Sequence, residues 1–568
     1  MRGQRVDSLW LRIAPSVVLL ILLVPVIMGL AGVLLPAFGY FPAAGAKELT
    51  LEPWRMLSAS PGVWRSTILA AWIGLASTLL SCMIVIALFA QFHDSAIFRL
   101  VRRTLSPLLS VPHVAIAIGL AFVIAPSGLI FRLLSQGLPG LDVPPDLLIV
   151  HDSFGISLIG ALVLKEVPFL FLMSLAGLPQ AEPQKSLAAA VAMGYKPAAA
   201  WLKVVLPRLY PQLRLPVLAV LAYSLSVVDA ALILGPTNPP PLAVAVVKLM
   251  NDPDLGKRFV AAAGAVQMAA LTVAMVGVWL AGEFAVKRYG EQWAEKGGRH
   301  EGARPLAIIA YSSGVLVLSF VLLSTAAILL WAFAESWPYP KVLPSDFTTS
   351  MWKDNAGLFS RPLWNALVIG LVSACSGLFL TVSLLERDVR SGAPGTQWLG
   401  NFLYVPLIVP QVAFLPGLQI ALISLDLDSN IYSVIAAHVV FVLPYIYLSL
   451  SRPWLHFDDR FRQAAMALGA SPRRALFRIR LPMLTTPLLI ALAVGFAVSI
   501  GQYLPTVLLG GGRVPTVTTE AVALSSGGDR RMIAALALLQ ALLPFAGFLV
   551  ATLVPLVLFR NRRDIRSP

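Results

Sequence analysis

Residues 186–207 read SLAAAVAMGYKPAAAWLKVVLP, and residues 461–482 read FRQAAMALGASPRRALFRIRLP. Laid over one another at an offset of 275 residues (464 − 189), they share one skeleton. Ala189 and Ala190 meet Ala464 and Ala465, Gly194 meets Gly469, Pro197 meets Pro472, Lys203 meets Arg478, and Leu206-Pro207 meets Leu481-Pro482. Alanine favours helix, and glycine suits a helix C-terminus or the close approach of another backbone. A proline opens a helix easily, because its missing N–H is not needed there. Each stretch therefore predicts a short helix, a sharp turn and a second short helix lying along a membrane face, closed by the Leu-Pro pair. The two segments, 182–211 and 457–486, are far longer than the roughly 2–8 residues usual between helices. Length of that kind implies structure or a task.

Outward from these segments the register holds. Leu232–Gly235 (LILG) meets Val507–Gly510 (VLLG) at the same offset. Upstream, LSVPHVAIAIGL around Pro112 resembles LIVPQVAFLPGL around Pro410 at a larger offset, so the first half carries extra residues, placed near Leu134–Phe154. Apolar runs of about 20 residues, each able to cross a ~30 Å hydrocarbon layer, recur along the chain. They lie near 13–35, 67–89, 106–124, 156–178, 215–234 and 260–282, then near 306–333, 364–385, 402–424, 432–450, 487–508 and 532–559. In hydrocarbon each backbone polar group must bond internally, so the runs are read as helices. The fold class is all-α: a polytopic membrane protein of about twelve transmembrane helices in two parallel six-helix repeats. The halves are 1–290 and 305–568, joined by a linker, 291–304, within a charged, solvated stretch Glu283–Arg304 that contains Gly297-Gly298.

Composition excludes a soluble chain: 58% of residues are hydrophobic and 12% charged, where soluble chains carry roughly a quarter charged. A net charge of +15 could suit nucleic acid, but Lys and Arg are sorted by membrane side. With the N-terminus inside, most of the 43 Lys and Arg fall on inside loops and tails, which puts both termini in the cytoplasm. The first apolar run follows Arg2, Arg5 and Arg12, and Ala44-Gly45-Ala46 mimics a signal cleavage site. The run is too long and the triplet too distant for a signal peptide, so an uncleaved first span is expected. Cys82 and Cys375, each inside a span, offer no disulfide framework and are read as small packing residues.

The repeated segments resemble the EAA motif of permeases from binding-protein-dependent ABC importers: Glu-Ala-Ala, three residues, Gly, nine residues, Ile-x-Leu-Pro. Both copies keep the spacing. They depart where Ala188 and Gln463 stand for Glu and Val204 stands for Ile, so a salt bridge from that Glu is not carried over. Two halves in one chain resemble the fused permeases of ferric-iron and thiamine importers, and Gly510–Arg531 is most similar to the thiamine branch. The resemblance implies a type I importer fold in a bacterial inner membrane. It implies a dimeric ABC ATPase gripping the two segments through Ala189, Ala190, Gly194, Leu206, Pro207, Ala464, Ala465, Gly469, Leu481 and Pro482. It also implies a periplasmic solute-binding protein at the outer face. The chain itself is expected to be no enzyme and to bind no cofactor or metal; ATP is used by the partner subunit, and no G-x-x-x-x-G-K-[ST] phosphate loop occurs here.

Charges at bilayer depth cost about 2.5–3.5 kcal/mol each, which makes them functional candidates. Lys165 and Glu166 lie in the middle of the fourth span before Pro168; neighbours on a helix point about 100° apart, so one can face a pathway while the other meets a neighbouring helix. A buried structural pair is the alternative. Asp229, Gln502 and Tyr503 fall late in the fifth and eleventh spans and are candidates to line a solute route. His438 reads as a helix-packing residue, and His113 lacks companions at metal-ligand spacing. A twelve-span carrier driven by an ion gradient also has parallel halves, but gives no reason for the duplicated segments. A membrane-embedded enzyme would need a catalytic cluster that the sequence lacks.

Overall fold

The computed structural model describes residues 9–42, 45–93, 95, 98–99, 111–299, 303–391 and 402–558. Both termini, Ala44, residues 106–110 of the third span and residues 300–302 of the linker lie outside that description. The first half contains α1 (Leu9–Ala37), α2 (Val63–Phe92), α3 (His113–Ile124), α4 (Ile156–Gly177), α5 (Pro183–Ala192), α6 (Leu206–Ser226), α7 (Asp229–Leu234), α8 (Leu242–Met250) and α9 (Lys257–Glu295). The second contains α10 (Ala303–Phe333), α11 (Ala356–Ser391), α12 (Gln411–Ile423), α13 (Ile431–Leu455), α14 (Arg460–Ala467), α15 (Thr485–Ile500), α16 (Leu504–Gly510), α17 (Val517–Ser525) and α18 (Arg530–Leu558). The only sheet among the described residues is a two-stranded ribbon, β1 (Ala334–Ser336) with β2 (Asp346–Phe347).

Among the described residues ten helices are long and apolar enough to cross a bilayer, and an eleventh span is a bent pair, Pro472–Met483 with Thr485–Ile500, turned by 76°. Twelve continuous spans are therefore too many. The ninth, expected over 402–424, shortens to the 13 residues of α12, because the chain is extended at Val409 and Pro410 before the helix begins. The fifth and eleventh are interrupted: α6 ends at Ser226 and α7 restarts at Asp229, while α15 ends at Ile500 and α16 restarts at Leu504. Hydropathy hides the first of these breaks, since Val227 and Val228 are as apolar as the helices they separate, whereas the second contains Gly501, Gln502 and Tyr503.

The linker is also more ordered than a solvated connector. α9 runs on to Glu295, and Glu283 accepts from the Tyr210 hydroxyl at 2.8 Å and pairs with Arg214 at 3.0 Å. Cys82 is half-buried, but Cys375 is exposed on the flank of α11, so the packing role read for it does not hold.

Each half lends its first helix to the other: α1 packs along α12, and α10 along α3. Lipid tails are as apolar as leucine, so such crossings depend on small residues that let backbones approach. Gly29 and Gly32 of α1 meet Gly417 of α12 backbone to backbone, and a Cβ on Gly32 would stand 2.5 Å from the Gly417 carbonyl oxygen. At the counterpart crossing Gly119 of α3 lies against Ser324 of α10. At the end of the bundle near β1, the buried Arg132 guanidinium donates to the carbonyls of Ser127, Trp337, Pro338 and Lys341 and ties the first half to this ribbon segment. Tyr339 adds a bond to the Leu141 carbonyl at 2.9 Å, within the stretch read as extra to the first half.

Candidate functional site

Both repeated segments lie at one end of the bundle, with the start of α1 and the ends of α2, α9 and α11. In each, a helix stops in the same way. The Tyr195 N–H donates to the Ala190 carbonyl at 3.2 Å around Gly194 at φ 88°, and the Ala470 N–H donates to Ala465 at 3.0 Å around Gly469 at φ 85°. This six-to-one bond around a left-handed glycine closes the carbonyls that a helix end would leave open. The second alanine of each motif is its acceptor. Ala189 and Ala464 are exposed beside it.

After the turn, Pro197 and Pro472 each begin a helical turn. The chain then widens into a π turn, Trp201–Val205 or Leu476–Arg480. Pro207 and Pro482 follow directly after Leu206 and Leu481. A proline ring inside a regular helix strikes the carbonyl four residues earlier, and the wider turn admits it. The Leu-Pro pair does not close the segment in the first half, where Pro197–Ser226 is one helix of 30 residues. In the second half the helix restarts at Thr485, whose hydroxyl bonds the Pro482 carbonyl at 2.7 Å, with Pro487 in the first turn, where no N–H is needed.

The two segments are anchored differently. Trp201 is buried beside Phe89, with ring centroids 5.9 Å apart, and Lys203 donates to the carbonyls of Trp293 and Gly298 at 3.2 and 3.0 Å. The Lys196 N–H bonds the Arg299 carbonyl at 3.0 Å, so the end of the first half folds back on its own turn. In the second half Arg480 is buried against Glu386 at 3.4 Å and donates to the Trp454 carbonyl at 2.8 Å. The Arg462 guanidinium, 2.6 Å from Asp459, holds that carboxyl below its ordinary range. Sequence reasoning missed Met193 and Leu468, which stand just before the glycines with 58% and 89% of their surface exposed. An apolar residue at that register in both copies was the available signal.

The polar candidates gather where the fifth and eleventh spans break. Lys165 donates to the Val111 carbonyl at 2.5 Å, just before Pro112. His113 lies against Tyr223 with centroids 4.6 Å apart, and Tyr223 stands six residues before Asp229. Asp229, 7% exposed, accepts from the Ala230 N–H at 2.9 Å. From the second half, Gln502 accepts from Gln411 at 3.3 Å, and Tyr503 directly follows it at the break of the eleventh span. A Cβ on Gly501 would lie 4.0 Å from Pro112. Glu166 is bonded by serines on two neighbouring helices. Ser81 of α2 donates to one of its oxygens at 3.1 Å and Ser224 of α6 to the other, so this carboxyl is held by two hydroxyls and not by an ion pair with Lys165. His438 is buried between Ser499 at 2.7 Å and Thr506 at 2.9 Å. Among the described residues no three His, Cys, Asp or Glu converge as a metal site requires.

Residues 366–562 match the family described as binding-protein-dependent transport system inner membrane component. The chain is 31% identical over 509 residues to the inner membrane ABC transporter permease protein YnjC of Escherichia coli (strain K12), covering 89% of this chain and 91% of that one. It is 28% identical to the putative 2-aminoethylphosphonate transport system permease protein PhnV of Salmonella paratyphi A, where 43% of this chain covers 88% of the relative. The spermidine/putrescine transport system permease protein PotC homolog of Mycoplasma pneumoniae is 26% identical over 37% of this chain and 73% of its own. YnjC matches along nearly the whole chain, whereas PhnV is nearly spanned by less than half of it. The chain therefore belongs to the binding-protein-dependent ABC transporter permeases, as a multi-pass inner-membrane transport component with two permease halves fused in one polypeptide.

Proposed function

We propose that this chain is the membrane portion of an ATP-driven importer, with both termini and both Gly-centred turns in the cytoplasm. A separate dimeric ATPase grips the turns, and a periplasmic binding protein loads the opposite end. Closure of the ATPase rocks the halves between outward and inward access, and the solute passes between them at the two breaks. The carrying observation is the pair of matching turns at one end, each with an exposed apolar tip, Met193 and Leu468. Two equal handles suit a two-sided motor; a gradient-driven carrier has no use for them. Valine at both Gly194 and Gly469 should abolish binding-protein-stimulated hydrolysis and uptake in proteoliposomes containing the ATPase and binding protein. Full coupling in that double variant defeats the docking assignment.

The solute in this reading is a small organic cation or zwitterion. Asp229 is a buried carboxylate directly after the break of the fifth span, with Tyr223 in the helix before that break, and a carboxylate near an aromatic ring attracts a protonated amine. 2-Aminoethylphosphonate and spermidine, for which PhnV and the PotC homolog are named, both carry amines, and thiamine is also a cation. Calorimetry of the co-expressed binding protein with 2-aminoethylphosphonate, spermidine, thiamine and ferric citrate tests the class. Binding of ferric citrate alone overturns it.

A further inference from the structure

The 275-residue register sets Ser224 of α6 on Ser499 of α15, each within two residues of the last residue before a break. Both hydroxyls bond a titratable side chain from the preceding long span: Glu166 of α4 for Ser224, His438 of α13 for Ser499. The partners are not equivalent positions. Here Pro168 and Pro444 align at an offset of 276 (444 − 168), so His438 falls on Leu162, about one helical turn from Glu166, on the same face. The halves make the same bond from different residues.

His438 does more than Glu166, because it touches both sides of its break. Ser499 is the penultimate residue of α15, and Thr506 lies in the first turn of α16. The Thr506 hydroxyl donates to the Gln502 carbonyl at 2.8 Å, one of the acceptors that a broken helix leaves open. Its proton is thus committed, so Thr506 accepts from Nε2–H of His438. In the neutral ring Nδ1 is then the acceptor, and Ser499 donates to it. The relay runs Ser499, His438, Thr506, Gln502 carbonyl, and bridges α15 to α16. The free space beside the ring, about 10 Å³ and bounded by Ala366, Gln502 and Thr516 among others, is no larger than a single water needs.

We propose that His438 is a positioning residue for transport: by stapling α16 to α15 it sets the angle of the break and the place of Gln502 beside Gln411. This rests on the importer reading. The staple itself is tested on the chain alone in detergent by amide hydrogen exchange. His438→Leu and Thr506→Val should each speed exchange over residues 506–510 at least tenfold and leave 489–497 unchanged, while His438→Gln, which keeps a donor and an acceptor, restores protection. Unchanged exchange in both variants overturns the staple. In proteoliposomes with the ATPase and binding protein, solute moved per ATP should fall at least fivefold in His438→Leu and recover in His438→Gln. A purely structural role lowers uptake and hydrolysis together through loss of folded protein; solute per ATP then stays constant, and that result overturns the positioning role. Wild-type chain that shows the staple by exchange but no ATP-dependent uptake defeats the importer reading instead.

Discussion

At the scale of single residues, the two turns separate backbone requirement from contact surface. A Cβ at Gly469 would find no atom within 4 Å, so space does not demand glycine there; φ at 85° does. The left-handed conformation costs an L-residue about 1–2 kcal/mol, and Gly469→Val should reshape the turn. Leu468→Ser leaves the turn intact, and an exposed substitution usually shifts stability by no more than about 0.5 kcal/mol. The expected outcome is an unchanged melting temperature for Leu468→Ser with roughly tenfold weaker capture of the ATPase subunit; wild-type capture would show that the tip is not a contact. Asp229 gives a second residue-level test. If it receives a protonated amine, Asp229→Asn should raise the solute concentration for half-maximal uptake at least fivefold while leaving basal hydrolysis near wild type. Equal uptake curves would take Asp229 off the route.

At the scale of elements, the halves hold equivalent segments by different chemistry. Val205 occupies in the first half the position of Arg480 in the second, and that segment is anchored instead by Trp201 against Phe89. Arg480 and Glu386 are both 3% exposed, and Glu386 also binds Arg390 at 2.7 Å. Removing one partner of a buried pair costs about 3–5 kcal/mol, because the other charge is left uncompensated. Arg390 remains for Glu386, so Arg480→Met should fall at or below the lower end of that range, and Arg480→Met with Glu386→Gln should recover part of the loss. Thermal melts in detergent decide it; a double variant less stable than the single would show that the pair is not coupled as drawn. The sequence made the segments legible because Gly, Pro and Ala carry strong local preferences in two aligned copies. It hid the first break, since Val227 and Val228 give hydropathy nothing to register. It hid the helical linker because the charges of Lys287–Glu295 suit a solvated helix as well as a loop.

At the scale of the whole molecule, the covalent link between halves is the smaller part of what joins them. That two halves are fused could be read from the register, but the exchange of first helices could not, because it depends on Gly29, Gly32, Gly119 and Gly417 meeting partners hundreds of residues away. Those crossings are reciprocal, α1 on α12 and α10 on α3, so neither half can leave without stripping a helix from the other. A protease site inserted between Arg299 and Glu301 should therefore yield two fragments that co-purify in mild detergent and keep ATP-dependent uptake when reconstituted with their partners. The crossings, and not the linker, should set the strength of that association. Gly417→Leu, which forces a branched side chain into the α1 backbone where overpacking costs typically about 1–3 kcal/mol or more, should let the cleaved halves separate on a sizing column. Gly290→Ala, in an exposed helical turn with nothing within 4 Å, should leave them together and stabilise α9 by up to about 1 kcal/mol. Fragments that part on cleavage alone would mean that the linker carries the assembly and that the glycine crossings are incidental contacts.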